Sequence, residues 1–103
     1  MTRVLTSSDF DSTIATGVTL VDMYADWCGP CQALAPVVEE LSHEYSWKAN
    51  ITKLDVDASG DIAMRYGVMS IPTLLVFKDG QLVEKAIGLQ EKENLVSILN
   101  KHL

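Results

Sequence analysis

The apolar positions along this chain form short continuous runs, an alternating segment, and stripes with helical spacing. The continuous runs and the alternating segment predict strands. Residues 18–25 are nearly all apolar, which is typical of a strand buried on both faces. Residues 51–57 alternate between apolar and polar side chains, and residues 73–77 form another short apolar run. Both segments therefore predict strands, and the pair Val4-Leu5 is a further short candidate.

Helical spacing is clearest over residues 32–45, where apolar side chains recur on one face. Pro36 lies inside this run and is expected to kink the helix. A shorter helix is predicted around Phe10 and Ile14, after capping candidates in residues 6–9 and before Gly17. The stripe of the longer helix consists of Leu34, Val37, Val38, Leu41 and Tyr45.

The second half of the chain adds two more predicted helices. A short one runs through Ile62, Ala63 and Tyr66, with Asp57 or Ser59 as its cap and Gly67 as its stop. A last helix is predicted over residues 95–103, where apolar side chains again recur at helical spacing.

The Asp-Gly pair in residues 78–81 predicts a tight hairpin turn, because such turns need positive φ angles. Residues 82–87 then form the return strand, and Gly88 ends it. The predicted order is β α β α β α β β α. This order indicates an α/β fold: a central mixed sheet of about five strands, flanked by about four helices, with an antiparallel hairpin at one end.

Length, charge and composition mainly exclude classes of protein. The chain has 103 residues, which predicts one domain over 1–103, and its net charge of −6 argues against nucleic-acid binding. No apolar run approaches the roughly 18 residues of a membrane span, and residues 1–7 lack a signal-peptide core. We therefore expect a cytoplasmic protein with no nucleic-acid or membrane partner, and nothing in the sequence demands more than a monomer.

The only two cysteines, Cys28 and Cys31, stand between the strand of 18–25 and the helix of 32–45. A C-x-x-C at a strand-to-helix junction in a βαβ-type chain is typical of a dithiol redox site. The N-terminus of a helix favours a thiolate, which is the form that attacks disulfides. A zinc site is the alternative, but zinc needs about four ligands and the only histidines, His43 and His102, lie far apart.

These segments together resemble the thioredoxin family over essentially the whole chain. The resemblance implies a thioredoxin fold and a protein-disulfide reductant with no bound cofactor and no metal, whose working group is a redox-active Cys28–Cys31 disulfide. It also implies two kinds of partner, disulfide-containing proteins and thioredoxin reductase, an NADPH-dependent flavoprotein. The matching segments are Val21 to Cys31 with its Trp27-Cys28-Gly29-Pro30-Cys31 motif, Ala35-Pro36, Lys53 to Asp57, Tyr66 to Val68, Ile71-Pro72-Thr73, Lys78-Asp79-Gly80 and Gly88.

The resemblance makes Cys28 the nucleophile. Cys31, one helical turn later and expected to be the more buried, would resolve the mixed disulfide. Gly29 and Pro30 shape the loop between them, and in the family this pair accompanies a reducing potential. Trp27 belongs to the same motif and would flank the nucleophile.

Asp22 is an unusual carboxylate within an apolar strand. Burial would raise its pKa, and the resemblance makes it the group that takes the proton from Cys31. The pattern alone favours an aspartate facing solvent at the strand end, and only the resemblance reverses that preference. Lys53 matches a family lysine that tempers this charge, although a solvated strand lysine fits the pattern as well.

Ile71 and Pro72 match a segment that the family places opposite the dithiol with a cis peptide bond. There the Ile71 backbone would pair with an extended substrate segment. The resemblance implies a weakly apolar docking surface around Cys28, formed by Trp27, Gly67, Met69, Ser70, Ile71, Pro72 and Gly88.

Some residues depart from the family pattern. Gln32 stands where many relatives carry a basic residue, Met69-Ser70 replaces a position that is often charged or glycine, and Tyr24 replaces a common tryptophan. These departures leave reductase and substrate preference open. A disulfide oxidase or isomerase, and a thioredoxin fold serving only as an interaction module, are the rival functions.

Overall fold

The computed structural model describes residues 2–103, and within them five strands and four helices follow the predicted order. In chain order they are β1 (Arg3–Leu5), α1 (Phe10–Ile14), β2 (Val18–Tyr24), α2 (Gly29–Glu44), β3 (Asn50–Asp55), α3 (Gly60–Arg65), β4 (Thr73–Lys78), β5 (Gln81–Ile87) and α4 (Lys92–His102).

The strands form one mixed sheet in the order β1-β3-β2-β4-β5. β2 lies in the middle, parallel to β3 and antiparallel to β4. The antiparallel β4–β5 hairpin forms one edge of the sheet. The predicted α/β fold with a mixed central sheet and a terminal hairpin is therefore confirmed.

Side chains of β2 alternate between two apolar cores, one on each face of the sheet. Leu20 packs on the face that carries α2 and α4, whereas Val21 and Met23 pack on the face that carries α1 and α3. Both cores exclude water, so β2 is buried along almost its whole length, as the continuous apolar run predicts. Just beyond the carboxyl end of β2, Ala25 packs against Cys28 and Cys31 at the start of α2.

The hairpin turn has the geometry that its Asp-Gly pair predicts. Asp79 and Gly80 adopt positive φ angles of 49° and 86°. Asp79 also accepts a hydrogen bond from the Gly17 amide through Oδ1 at 2.8 Å. The turn is thus tied to the loop before β2, at the end of the sheet opposite the cysteines.

Two helices begin earlier than the apolar stripes predict. α2 begins at Gly29, because Pro30 needs no hydrogen-bond partner in a first turn and the Cys28 sulfur caps the helix. α4 begins at Lys92, since its first turn is polar and leaves no mark in the apolar pattern. Pro36 lies inside α2, and the kink expected there stays a prediction.

The caps of the short helices differ in detail from the sequence expectation. Ser59 is the N-cap residue of α3 but its side chain makes no capping hydrogen bond. Asp57 is not the N-cap residue of α3, and its Oδ2 accepts a hydrogen bond from the Trp27 indole. Asp9 precedes α1, and its carboxylate turns back to accept from the Thr6 amide at 2.7 Å.

Within residues 2–103, none of the helices has the length and apolar character needed to cross a bilayer.

Candidate active site

The two cysteines lie at the N-terminus of α2 and form a disulfide, with their Cα atoms 5.2 Å apart. Cys28 is the N-cap residue, in an extended conformation, and its sulfur accepts a hydrogen bond from the Cys31 amide at 3.2 Å. An amide directed at this sulfur, together with the positive end of the helix dipole, stabilises a thiolate when the disulfide is reduced. The sequence thus places Cys28 at the N-cap of α2, where unpaired amides and the positive end of the helix dipole act on its sulfur.

Both cysteines are buried to the same degree, with 4% of each residue exposed. The prediction that Cys31 is the more buried is therefore wrong. Cys28 is more buried than expected because Ile71 packs on the cysteine pair, with its carbonyl oxygen 3.7 Å from Cys28 Sγ. Cys28 is thus covered from the opposite loop.

Asp22 lies in the middle of β2, paired in register with Lys53 of β3. It is 2% exposed, and its Oδ1 has no hydrogen-bond partner among the described residues. Burial raises the pKa of this carboxyl to about 7, and the positive charge of Lys53 partly opposes the rise. The buried interpretation of Asp22 is confirmed, and the solvent-facing alternative is wrong.

Lys53 is half-buried, and its ammonium lies 4.9 Å from the centroid of the Tyr24 ring. The ring face attracts the cation, which holds the Lys53 side chain beside Tyr24. Tyr24 and Asp22 share one face of β2, so the lysine charge acts on the carboxyl beneath it. Lys53 is therefore not the freely solvated lysine that the pattern also allowed.

A cavity of about 340 Å³ lies beside α2 and is lined by both Asp22 and Cys31. A site of this size has room for several water molecules, which offers a route for protons between the two groups. Its wall consists of Thr2, Asp22, Tyr24, Cys31, Gln32, Ala35, Pro36, Val38, Glu39 and Lys53.

The segment opposite the dithiol has the conformation that the resemblance implies. The Ile71–Pro72 peptide bond is cis, and Gly67 and Gly88 both have positive φ angles. The Gly88 amide donates to the Pro72 carbonyl at 2.8 Å, which fixes the end of β5 against this loop.

Trp27 lies at the edge of the same face, 71% exposed, and its indole nitrogen donates to Asp57 at 2.8 Å. Gln32 reaches back from α2, and its amide donates to the Asp26 carbonyl at 2.8 Å. These two hydrogen bonds tie the loop before Cys28 to Asp57, which follows β3, and to Gln32 in α2.

Sequence reasoning missed several residues of the site. Thr2 and Glu39 close one wall of the cavity, where the Thr2 amide and hydroxyl both donate to Glu39 Oε1 at 2.8 and 2.9 Å. Ile87 and Leu89 flank Gly88 and are 61% and 58% exposed. The apolar residues on either side of this predicted docking glycine were a usable signal in the sequence, whereas the contact between Thr2 and Glu39 spans 37 residues and leaves none.

Among residues 2–103, no group of three or more His, Cys, Asp or Glu side chains is arranged to hold a metal ion. The two histidines instead face glutamates, His43 beside Glu39 and His102 beside Glu84.

Comparisons with known proteins agree on one family. The sequence model of the family described as Thioredoxin matches residues 1–101. Thioredoxins of Staphylococcus epidermidis and Staphylococcus aureus are 60% and 59% identical over 99 residues, which cover 96% of this chain and 95% of each relative. The solved structure of a mutant thioredoxin from Halobacterium salinarum NRC-1 superimposes with a TM-score of 0.90 at 39% identity, over 97% of this chain and 88% of that one.

Proposed function

Since this chain belongs to the thioredoxin family and is a thiol–disulfide oxidoreductase, we propose that it works as a reductant of protein disulfides. The observation that carries the proposal is the Cys28–Cys31 disulfide at the N-terminus of α2, beside a buried Asp22. A dithiol supplies two electrons by becoming a disulfide, so the Cys28–Cys31 pair is the working group. No bound cofactor takes part in the exchange.

The first step is attack by the Cys28 thiolate on one sulfur of a substrate disulfide. A mixed disulfide forms, and the other substrate sulfur leaves as a thiolate and takes a proton from solvent. The Cys31 amide, which donates to Cys28 Sγ, supports the thiolate before attack. The substrate backbone pairs with Ile71 beside Pro72, and the docking surface of Trp27, Gly67, Met69, Ser70, Ile71, Pro72 and Gly88 holds the adjoining chain.

The second step is attack by Cys31 on the Cys28 sulfur, which releases the reduced substrate and leaves the Cys28–Cys31 disulfide. Cys31 must lose its proton to attack, and the Asp22 carboxylate accepts it through water in the shared cavity. A pKa of about 7 suits Asp22 to this exchange near neutral pH. Lys53 keeps that pKa from rising further, and Gly29 and Pro30 keep the loop in shape.

A partner must reduce the disulfide again after each turnover. We assign this step to an NADPH-dependent flavoprotein, thioredoxin reductase, which makes the protein an electron carrier between NADPH and disulfide-containing proteins. The 60% identity to a bacterial thioredoxin supports this assignment. The proposal has residues 1–103 acting as one domain, a monomer in the cytoplasm, with no nucleic-acid or membrane partner.

The reduction potential of the Cys28–Cys31 pair tests the direction of electron flow. Equilibration in thiol–disulfide buffers, followed by Trp27 fluorescence, should give about −270 mV, the value general to thioredoxins. A potential of about −180 to −120 mV would place the protein with the isomerases and oxidases instead.

Two cysteine variants test the order of the steps. Cys31→Ser should accumulate a mixed disulfide between Cys28 and insulin, because nothing resolves it, whereas Cys28→Ser should form none. In a coupled assay with NADPH and thioredoxin reductase, only the wild type should turn over. A double variant that kept full biological function would instead indicate an interaction module.

A further inference from the structure

Met69 is a nearly fully exposed methionine in the loop between α3 and β4. Its exposed fraction is 95%, although apolar side chains of this size are usually shielded from water. The neighbouring apolar residues Val68 and Ile71 are half-buried, so this loop presents apolar surface beside the Met69 side chain. The side chain is therefore available to any partner or reagent that approaches the loop.

The backbone around Met69 is fixed on both sides. The Val68 amide donates to the Ala63 carbonyl at 2.9 Å, and Thr73 Oγ1 donates to the Ser70 carbonyl at 2.6 Å. A fixed backbone means that the exposed position of Met69 is built into the fold and does not come from a loose loop.

Met69 lies close to the reacting sulfur. Ile71, two residues later, has its carbonyl oxygen 3.7 Å from Cys28 Sγ. Two residues of chain span at most about 7 Å, so the Met69 backbone lies within roughly 13 Å of Cys28 Sγ, in the loop that covers this sulfur. The exposed side chains of Trp27, Ile87 and Leu89 give the same face its apolar character.

We propose that Met69 is an oxidation site, at which a hydroperoxide converts the thioether to a sulfoxide and thereby weakens the docking of protein disulfides. This proposal rests on the proposed function. The sulfur donates an electron pair to one oxygen of hydrogen peroxide, so that an S–O bond forms as the O–O bond breaks, and the other oxygen takes both protons and leaves as water. Methionine is oxidised and the peroxide is reduced, so no other reactant is needed.

The consequence follows from the change in polarity. A thioether is a flexible apolar group that adapts to many partner surfaces. A sulfoxide is polar and must be desolvated before an apolar surface can cover it. Peroxide that reaches the disulfide form would thus reduce later electron delivery to docked proteins while the bonded Cys28–Cys31 pair stays intact.

Met64 is a matched control within the same chain. It is 83% exposed and lies on α3, outside the docking surface. Met23 is fully buried and should resist the reagent. Oxidation of Met64 should therefore proceed with little effect on docking.

The experiment treats the disulfide form with hydrogen peroxide, because Cys28 and Cys31 are then already bonded to each other. After removal of the peroxide and reduction with dithiothreitol, peptide mapping by mass spectrometry locates the sulfoxides. Wild type, Met69→Leu and Met64→Leu are each compared with their own untreated samples. The readouts are the KM and kcat for insulin and the rate with glutathione disulfide, a probe too small to need the docking surface.

We expect treatment to raise the KM for insulin by about threefold to tenfold in the wild type and in Met64→Leu, but not in Met69→Leu. The rate with glutathione disulfide should not change. Untreated Met69→Gln, which carries a polar side chain of similar length, should show a raised KM like that of the treated wild type.

Three results would overturn the proposal: no sulfoxide at Met69, an unchanged KM despite the sulfoxide, or an equal rise in Met69→Leu. If the untreated wild type does not reduce insulin at all, the proposed function fails and the docking role of Met69 fails with it. If untreated protein is active and treatment has no effect, only the Met69 proposal fails.

Discussion

At the residue scale, the buried carboxyl of Asp22 links the stability of the fold to pH. Its carboxyl is 2% exposed and has a pKa raised to about 7, against an ordinary value of 3.8. The folded protein therefore keeps a proton that the unfolded chain has already released between these two pH values. The free energy of unfolding should fall as pH rises through this range and should level off above it.

Replacement of Asp22 by Asn should remove this pH dependence. At pH 8 the variant should be more stable by up to about 4 kcal/mol, because no buried charge remains, and below pH 4 the difference should disappear. Urea unfolding at several pH values measures both quantities. If the difference in free energy of unfolding between variant and wild type were the same at pH 5 and pH 8, the pKa of Asp22 would not be raised by burial.

The same replacement should slow resolution of the mixed disulfide, because Cys31 loses its proton acceptor. We expect the release of reduced insulin to fall by about tenfold or more near neutral pH, within the usual range for general-base catalysis, and to recover as pH rises. Rapid-mixing kinetics between pH 6 and 9 check this. Equal rates in variant and wild type across that range would exclude the role of Asp22.

At the scale of elements, the strand-to-helix junction positions the dithiol. β2 is held on both sides by β3 and β4, and a short loop over residues 25–28 leads from it into α2, with Cys28 as the N-cap residue. Gln32 strengthens the junction by donating to the Asp26 carbonyl. The start of α2 was predicted three residues too late, because an apolar stripe does not report a first turn made of Gly29 and Pro30.

Gly80 in the hairpin turn and Gly60 at the start of α3 test whether backbone conformation controls the effect of adding a side chain. An added Cβ would meet nothing closer than 3.9 Å at Gly80 and nothing within 4 Å at Gly60, but only Gly80 has a positive φ, of 86°. Gly80→Ala should therefore lower the free energy of unfolding by about 1–2 kcal/mol. Gly60→Ala should raise it by about 0.5–1 kcal/mol, since alanine is the better helix former.

Urea unfolding of both variants measures this difference directly. Similar destabilisation by the two replacements would mean that side-chain crowding, and not the left-handed turn, controls these positions.

The whole molecule carries a net charge of −6, and Asp26 and Asp57 are exposed beside the docking surface. Charge of one sign around a reactive group attracts partners of the opposite sign at long range. The protein should thus meet basic substrates faster than acidic ones.

Disulfide peptides flanked by lysine should show a higher kcat/KM than matched peptides flanked by glutamate. The advantage should shrink between about 0.01 and 0.15 M salt, where the Debye length falls from about 30 to 8 Å. A ratio that does not change with salt would mean that charge plays no part in the encounter.

The fold class, the order of the elements, the hairpin turn and the dithiol could all be predicted from the amino-acid sequence. These features depend on local periodicity, on turn residues and on a motif whose residues are neighbours in the chain. Tertiary packing was needed to establish the equal burial of Cys28 and Cys31, the contact of Lys53 with the Tyr24 ring, and the closure of the cavity by Thr2 and Glu39. Each of these depends on residues far apart in sequence, and their distances exist only once the sheet has set its register and α2 has packed against it.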